Sequence, residues 1–120
     1  MPSYRIQRTN EDILRELTAL LREVKDPRVA EAMPTIVKTD TDSDLATCKV
    51  YVSSLKGIGA AKEAVAVLRR AGFLRRELGR RLRLRHAPEL LFIADDSLEH
   101  SAHISELLKT IGQGGDGDVG

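Results

Sequence analysis

The apolar residues at the start of the chain recur with the period of an α-helix. Within residues 5–25, Ile13, Leu17 and Leu21 follow one another at spacings of four, so they form one stripe on a helix surface. The pair Asp26-Pro27 predicts the end of this helix, because the proline ring disfavours the helical conformation at the preceding residue.

Two stretches after this helix have the composition or the two-residue period of β-strands. Residues 34–41 are rich in β-branched side chains, and residues 46–53 alternate apolar and polar positions. The apolar face of the second stretch consists of Ala46, Cys48, Val50 and Val52. Residues 42–44 read Asp-Ser-Asp, which is turn chemistry. The pattern therefore predicts an antiparallel hairpin, with Cys48 as a small core residue.

The helical period returns in residues 61–82 and ends at His86-Ala87-Pro88. Residues 89–94 then form a nearly continuous apolar run, which predicts a strand buried on both faces. Residues 95–97 offer capping side chains to a last helix, whose apolar stripe is Ile104, Leu107, Leu108 and Ile111. We expect one α+β domain over residues 1–111 and a disordered Gly/Asp tail over residues 112–120.

Composition limits the classes of protein that fit. The aromatic content of 3% disfavours a surface that binds single-stranded bases by stacking on several rings. The single cysteine excludes an internal disulfide, and no apolar run approaches the roughly 20 residues of a membrane span. These features predict a cytoplasmic protein without a membrane segment.

Positive charge is concentrated in residues 62–85, which we call the basic segment. It contains nine of the nineteen Lys and Arg residues and only two acidic ones, a net charge of +7 in a chain of net charge +1. Eight of the nine are arginines, whose planar guanidinium suits bidentate contacts with phosphate. Gly72 divides the apolar stripe of this segment and is predicted to kink two short helices. A solvated arginine-rich helix face is the alternative to a polyanion-binding surface.

No pattern in the chain supports catalysis, a cofactor, a metal or a small-molecule substrate. The aspartates of residues 40–44 open like a calcium loop, but Leu45 and Tyr51 occupy the positions that need Gly and Glu. Gly57 and Gly59 lack the third glycine of a dinucleotide-binding loop. His100 and His103 on the last helix do not meet a zinc spacing.

Several short motifs, in order, resemble the bacterial ribosome-binding factor A family. They are Asp26-Pro27-Arg28, Ser43-Asp44-Leu45, Lys49-Val50-Tyr51-Val52-Ser53, Gly72-Phe73-Leu74-Arg75, Leu82-Arg83-Leu84-Arg85 and Pro88-Glu89-Leu90. The resemblance covers roughly residues 4–111. It implies a single type II KH-like domain with the order α-β-β-α-α-β, which agrees with the order derived above from the pattern.

The same resemblance implies a role in late maturation of the small (30S) ribosomal subunit. The expected partners are the subunit and its rRNA, the chain assisting rRNA processing or folding without catalysis, as a monomer and with a GTPase as a further partner in release. KH domains clamp nucleotides with a GxxG loop, and the family carries Ala-x-Gly there, whereas this chain has Arg70-Ala71-Gly72. Arg70 either changes the kink or points outward and adds a phosphate contact, and we favour the second.

The candidate RNA-binding residues all lie in the basic segment. They are Arg69, Arg70, Arg75, Arg76, Arg80, Arg81, Arg83 and Arg85, with Arg5 and Arg8 as an extension from outside it. Some of these are expected to be structural, for example by pairing with Glu77. Two other functions stay open: a helix-turn-helix-like DNA-binding regulator, and a protein-interaction module that docks an acidic partner.

Overall fold

The computed structural model describes the backbone of residues 4–116 and the side chains of residues 5–111. Along the chain the elements are α1 (Tyr4–Leu21), α2 (Pro27–Ala32), β1 (Thr35–Thr41), β2 (Thr47–Ser53), α3 (Ile58–Leu68), α4 (Phe73–Arg81), β3 (Glu89–Asp95) and α5 (Ser97–Asp116). The predicted α-β-β-α-α-β order is confirmed, with one additional short helix.

The three strands form one sheet in the order β1-β2-β3. Strands β1 and β2 are antiparallel, as the hairpin prediction required, and β3 runs parallel to β2. Parallel neighbours need a crossover connection, and here the helices α3 and α4 provide it. This is the KH-like α+β topology that the family resemblance implied.

The hydrophobic core lies between one face of the sheet and the helices α1, α3 and α4. Cys48, Val50 and Val52 of β2 are all fully buried, so the two-residue alternation had identified the core face of the strand. The prediction was wrong at Ala46, which is exposed in the turn before β2 begins at Thr47. Leu17 of α1 and Leu68 of α3 belong to the same core cluster. Burial raises the pKa of the Cys48 thiol, so the thiol stays protonated and packs as a small apolar side chain.

The first helix ends earlier than the sequence indicated. It stops at Leu21 rather than near residue 25, and Asp26-Pro27 begins a second helix instead of only ending the first. The Asp26 side chain accepts a hydrogen bond from the backbone N–H of Arg28, and Pro27 occupies the first helical turn, where its missing N–H costs nothing. The same two residues that stop a helix are therefore also a helix-start signal, and the expectation was wrong on this point.

Strand β3 is not buried on both faces, which corrects a second expectation. Among the described strands it pairs only with β2, so it lies at the sheet edge; Phe92 is buried, whereas Leu91 is 40% exposed. The helices of the core cover a single face of the sheet, so alternate residues of β3 point away from them. A continuous apolar run does not by itself distinguish a central strand from this arrangement.

The last helix, α5, is held at its beginning. The Leu98 N–H donates to Ser53 Oγ, and the Ile58 N–H donates to the Glu99 carboxylate. Its predicted stripe is present on the helix but is exposed to solvent, with Leu108 and Ile111 each more than 60% exposed. The helix extends to Asp116, so the predicted tail boundary at residue 112 falls inside it. Residues 117–120 lie outside the described residues.

Candidate nucleic-acid interface

The basic segment folds as two amphipathic helices with arginines on their outer sides. Helix α3 buries Val65 and Leu68, and α4 buries Leu74 and Leu78, all at most 3% exposed. These apolar positions recur every three or four residues, so the residues between them must face outward. Because most of these outward-facing residues in α4 are arginines, the outer side of this helix is positively charged.

Along the chain, the helix pair comes between two strands of the same sheet. A helix-turn-helix regulator needs a recognition helix that protrudes from a helical bundle. Here α3 and α4 instead connect the parallel neighbours β2 and β3, so this arrangement does not match that rival.

Gly72 lies between the two helices, but the bend does not depend on its being glycine. Its backbone has φ −58° and ψ −23°, the right-handed helical region that any residue can adopt. A Cβ placed there meets only one atom within 4 Å among the described residues, Nη1 of Arg76, at 3.9 Å. The kink predicted at Gly72 is therefore compatible with residues other than glycine at this position.

The C-terminal end of α4 has a defined cap, in which Arg83 adopts a left-handed conformation. The N–H of Leu84 donates to the carbonyl of Gly79 at 2.9 Å, and that of Arg83 donates to the carbonyl of Arg80 at 3.2 Å. This pair of bonds is a Schellman motif, whose left-handed residue is usually glycine. Here that residue is Arg83, with φ 54°.

Close packing leaves little room for a side chain at Gly79 in α4. A Cβ on Gly79 comes within 3.1 Å of the Ala87 Cβ, so α4 lies directly against the loop that leads into β3. Nothing in the sequence singled out Gly79, because the contact joins residues eight positions apart through a loop whose course the pattern does not predict.

Two of the eight candidate arginines are bound to backbone carbonyls. Arg69 donates through Nε and Nη2 to the carbonyl of Phe92, at 3.3 and 3.0 Å. Arg75 donates in the same way to the carbonyl of Ala87, at 3.2 and 2.9 Å. Both guanidinium groups thus fasten the helix pair to β3 and the loop before it, where edge-strand carbonyls otherwise lack a partner.

Two further arginines form ion pairs. Arg80 contacts Glu77 through both arms of its fork, at 2.8 and 3.1 Å. Arg81 donates to Glu23, in the segment after α1, at 2.7 Å and lies 3.5 Å from Glu77. The hydrogen bond from Arg80 lowers the pKa of the Glu77 carboxyl, so Glu77 carries its negative charge at neutral pH. The expected pairing of an arginine with Glu77 is confirmed.

The other four arginines, Arg70, Arg76, Arg83 and Arg85, are exposed, and their guanidinium groups have no hydrogen bond or ion pair to any side chain or backbone group of residues 5–111. Arg70 therefore points outward, and the phosphate contact that we favoured for it stays a prediction. Arg76 and Arg85 also line an open concavity of about 570 Å³, together with Arg75, Arg80 and His86. Exposed guanidinium groups without a carboxylate partner among the described residues are groups of the kind that bind a polyanion.

The suggested extension through α1 is weaker. Arg5 and Arg8 are exposed. Arg8 lines the same concavity as Glu11 and Asp12, whose negative charges reduce the positive potential there. The structure does not bring these two arginines into the concavity of the basic segment.

Other kinds of site were sought among the described residues: metal sites, membrane-spanning helices and further concavities. They contain no group of three or more His, Cys, Asp or Glu residues able to hold a metal ion, and no helix long and apolar enough to cross a membrane. A second concavity of about 480 Å³ lies between α1, α2 and β1, and Arg22 is the one charged residue among the described residues of its lining. That largely apolar lining does not suit a polyanion.

Comparisons with known proteins match this picture. A family model described as "Ribosome-binding factor A" matches residues 5–108. A ribosome-binding factor A from Desulfitobacterium hafniense (strain DSM 10664 / DCB-2) is 43% identical over 122 residues, covering 100% of this chain and 96% of the relative. One from Clostridium tetani (strain Massachusetts / E88) is 38% identical over 120 residues, covering 98% of each chain.

Solved structures agree on the fold. A Thermotoga maritima protein, solved by NMR as a candidate ribosome binding factor A, superposes with a TM-score of 0.70 at 34% identity, covering 82% of this chain and 94% of its own. The crystal structure of ribosome-binding factor A from Thermus thermophilus gives 0.65 at 26% identity, with 74% and 94% covered. A Thermus thermophilus homology model fitted into a cryo-EM map of a 30S complex gives 0.55 at 27% identity, with 70% and 88% covered.

Proposed function

This chain belongs to the ribosome-binding factor A family, and from that premise we propose that it binds the maturing small ribosomal subunit through rRNA. In this role it assists late processing and folding of the rRNA and performs no catalysis itself. The 30S complex of the Thermus thermophilus relative supports the choice of particle.

The observation that carries this proposal is the set of four unpaired arginines, Arg70, Arg76, Arg83 and Arg85. Each is presented by the helix pair or by the loops that adjoin it, and these elements are anchored by fully buried leucines. Guanidinium groups that have no internal partner among the described residues are available to rRNA phosphates without first losing a contact. We assign the phosphate contacts to these four, which fix the position of the domain on folded RNA.

The other four arginines of the candidate site have a supporting role in this proposal. Arg69 and Arg75 hold the helix pair against the edge strand, so they orient the surface. Arg80 and Arg81 are engaged by carboxylates in the free protein. The protein acts as a monomer in the cytoplasm and leaves the particle when maturation is complete, with a GTPase as the partner that promotes release.

Neutralising the four unpaired arginines tests the proposal. The variant Arg70→Gln/Arg76→Gln/Arg83→Gln/Arg85→Gln is sedimented with purified small subunits over a range of salt concentrations. Each phosphate contact contributes a slope of about −0.8 in log affinity against log salt, so we expect the slope to become shallower by roughly 3 and the affinity near 0.1 M salt to fall roughly 10³-fold.

The matched control removes the same charge elsewhere, in Arg22→Gln/Lys25→Gln/Lys49→Gln/Lys109→Gln. These four cations are also exposed and unpaired among the described side chains, and all lie outside the basic segment. Equal losses in the two variants would show that only net charge matters and would contradict the assignment. Binding that survives high salt and nuclease treatment would favour docking to an acidic protein, and tighter binding to duplex DNA than to the particle would favour a DNA regulator.

A further inference from the structure

The carboxylate of Glu77 occupies the place that a phosphate would take on Arg80. Two guanidinium nitrogens of Arg80 donate to the two oxygens of Glu77, at 2.8 and 3.1 Å. This fork-to-fork geometry is the one by which arginine recognises phosphate. Arg80 is exposed and lines the basic concavity, but the guanidinium nitrogens that would contact a phosphate are already bonded to Glu77.

The same carboxylate also limits Arg81. Arg81 lies between two acids, with Nη2 at 2.7 Å from Glu23 and Nε at 3.5 Å from Glu77. The two acids thus neutralise the two consecutive arginines that end α4, where the C-terminal pole of the helix would itself attract a cation. The neighbouring Arg76, one turn earlier, has no such acid among the described side chains.

Stability does not explain the arrangement well. The side chains of Arg80 and Glu77 are 70% and 31% exposed, and ion pairs of this kind contribute little to folding because solvent screens them. Competition explains it better. A carboxylate fixed three residues away has a high effective concentration at the guanidinium, and an isolated phosphate of a passing RNA must displace it.

We propose that Glu77 is a specificity-determining residue that keeps Arg80 from binding RNA indiscriminately. This inference rests on the proposed function, since it assumes that the basic segment contacts RNA. In this inference the four unpaired arginines bind RNA. Glu77 keeps Arg80 from adding a further contact to RNA that is not part of the ribosome. Adhesion to the bulk RNA of the cell is reduced, while the fold keeps its arginine-rich face.

The variant Glu77→Gln tests this with a duplex RNA of unrelated sequence, by measuring affinity as a function of salt. Because an exposed ion pair blocks a phosphate only in part, the freed guanidinium steepens the salt slope by up to about 0.8, and the affinity near 0.1 M salt rises by at most roughly sixfold. The matched control is Glu63→Gln, because Glu63 is the other acid of the basic segment and has no ion pair to an arginine among the described side chains. Both variants make the same change in net charge.

A second variant identifies the freed group. Adding Arg80→Gln to Glu77→Gln removes the released guanidinium, so the slope must return to that of the wild-type protein. Thermal melting of each variant shows whether the fold is intact, and Glu77→Ala repeats the measurement if the glutamine variant does not fold.

The possible results separate this inference from the proposed function. Equal slopes for Glu77→Gln and Glu63→Gln, or weaker binding of Glu77→Gln in a folded protein, would overturn the role of Glu77. So would a gain that persists in the double variant. Co-sedimentation of the wild-type protein with small subunits is measured in parallel, and its absence would overturn the proposed function whatever the duplex RNA shows.

Discussion

Helices α4 and α5 have the same apolar periodicity but opposite environments. The leucines of the α4 stripe, Leu74 and Leu78, are fully buried, whereas those of the α5 stripe, Leu107 and Leu108, are 51% and 63% exposed. Helix α4 lies within a crossover that returns to the sheet at both ends, and it packs on α1. Helix α5 is attached near its first turn and extends from the end of β3.

The difference shows that an amphipathic stripe predicts a helix more reliably than it predicts what the helix packs against. The stripe of α4 faces the core because the chain leaves β2 and must come back to β3. No later strand constrains α5 within the described residues. The proposed RNA-binding surface accordingly lies on the helix whose orientation the fold determines.

The largest expected effect compares a buried leucine of α4 with an exposed one of α5. Leu78→Ala leaves a cavity in the core, so we expect the free energy of unfolding to fall by about 2–5 kcal/mol. Leu108→Ala removes a side chain that is mostly in water, so its effect stays within about 0.5 kcal/mol. Urea denaturation followed by circular dichroism measures both, and similar losses would mean that α5 is packed in solution.

A smaller effect is expected at the cap of α4. Arg83 holds a left-handed conformation that glycine adopts without strain, so Arg83→Gly raises the free energy of unfolding by about 1 kcal/mol, measured by the same urea denaturation. The same change removes one proposed phosphate contact, which makes the salt slope with small subunits shallower by about 0.8.

Arg85→Gly is the matched control, because Arg85 is also exposed but has no positive φ. It should weaken binding by a similar amount without stabilising the fold. If Arg83→Gly destabilises the protein, the cap at the end of α4 is not strained in the way proposed.

The smallest effect concerns the start of α4. Gly72 has right-handed helical dihedrals and an uncrowded Cβ position, so Gly72→Ala restricts the unfolded chain and stabilises the protein by about 0.5 kcal/mol. Binding to small subunits, measured by co-sedimentation, stays unchanged. At Gly57 the φ of 107° is unfavourable for alanine, so Gly57→Ala destabilises the fold instead. A loss of RNA affinity in Gly72→Ala would restore glycine as a requirement of the kink.

Much of the fold could be predicted because its signals are local. The alternation through Cys48, Val50 and Val52 identified the core face of β2, and the stripe with Leu74 and Leu78 identified α4. The short helix α2 was missed, because Asp26-Pro27 is compatible both with a helix stop and with a helix start. The exposure of β3 was missed because a strand's place in the sheet depends on which strands pair with it.

The candidate site was predicted as a region but not residue by residue. The net charge of +7 between residues 62 and 85 identified where exposed arginines are concentrated, and their contact with RNA stays a prediction. Whether an arginine is free depends on partners far along the chain: Arg69 meets a carbonyl 23 residues away, and Arg81 meets Glu23, which is 58 residues away. Those contacts exist only once the sheet and helices have assembled.

The sequence by itself determined the periodic elements, the concentration of arginine in one segment and the motifs of the family. These depend on side-chain order within a few residues, which sets helix and strand faces through backbone geometry alone. The tertiary structure decided which stripe was buried. It also decided which of the eight arginines bind backbone carbonyls, which form ion pairs and which have no partner among the described residues. The physical reason is that burial and hydrogen bonding are properties of the assembled surroundings, so identical guanidinium groups differ by what packing places within about 3 Å of them.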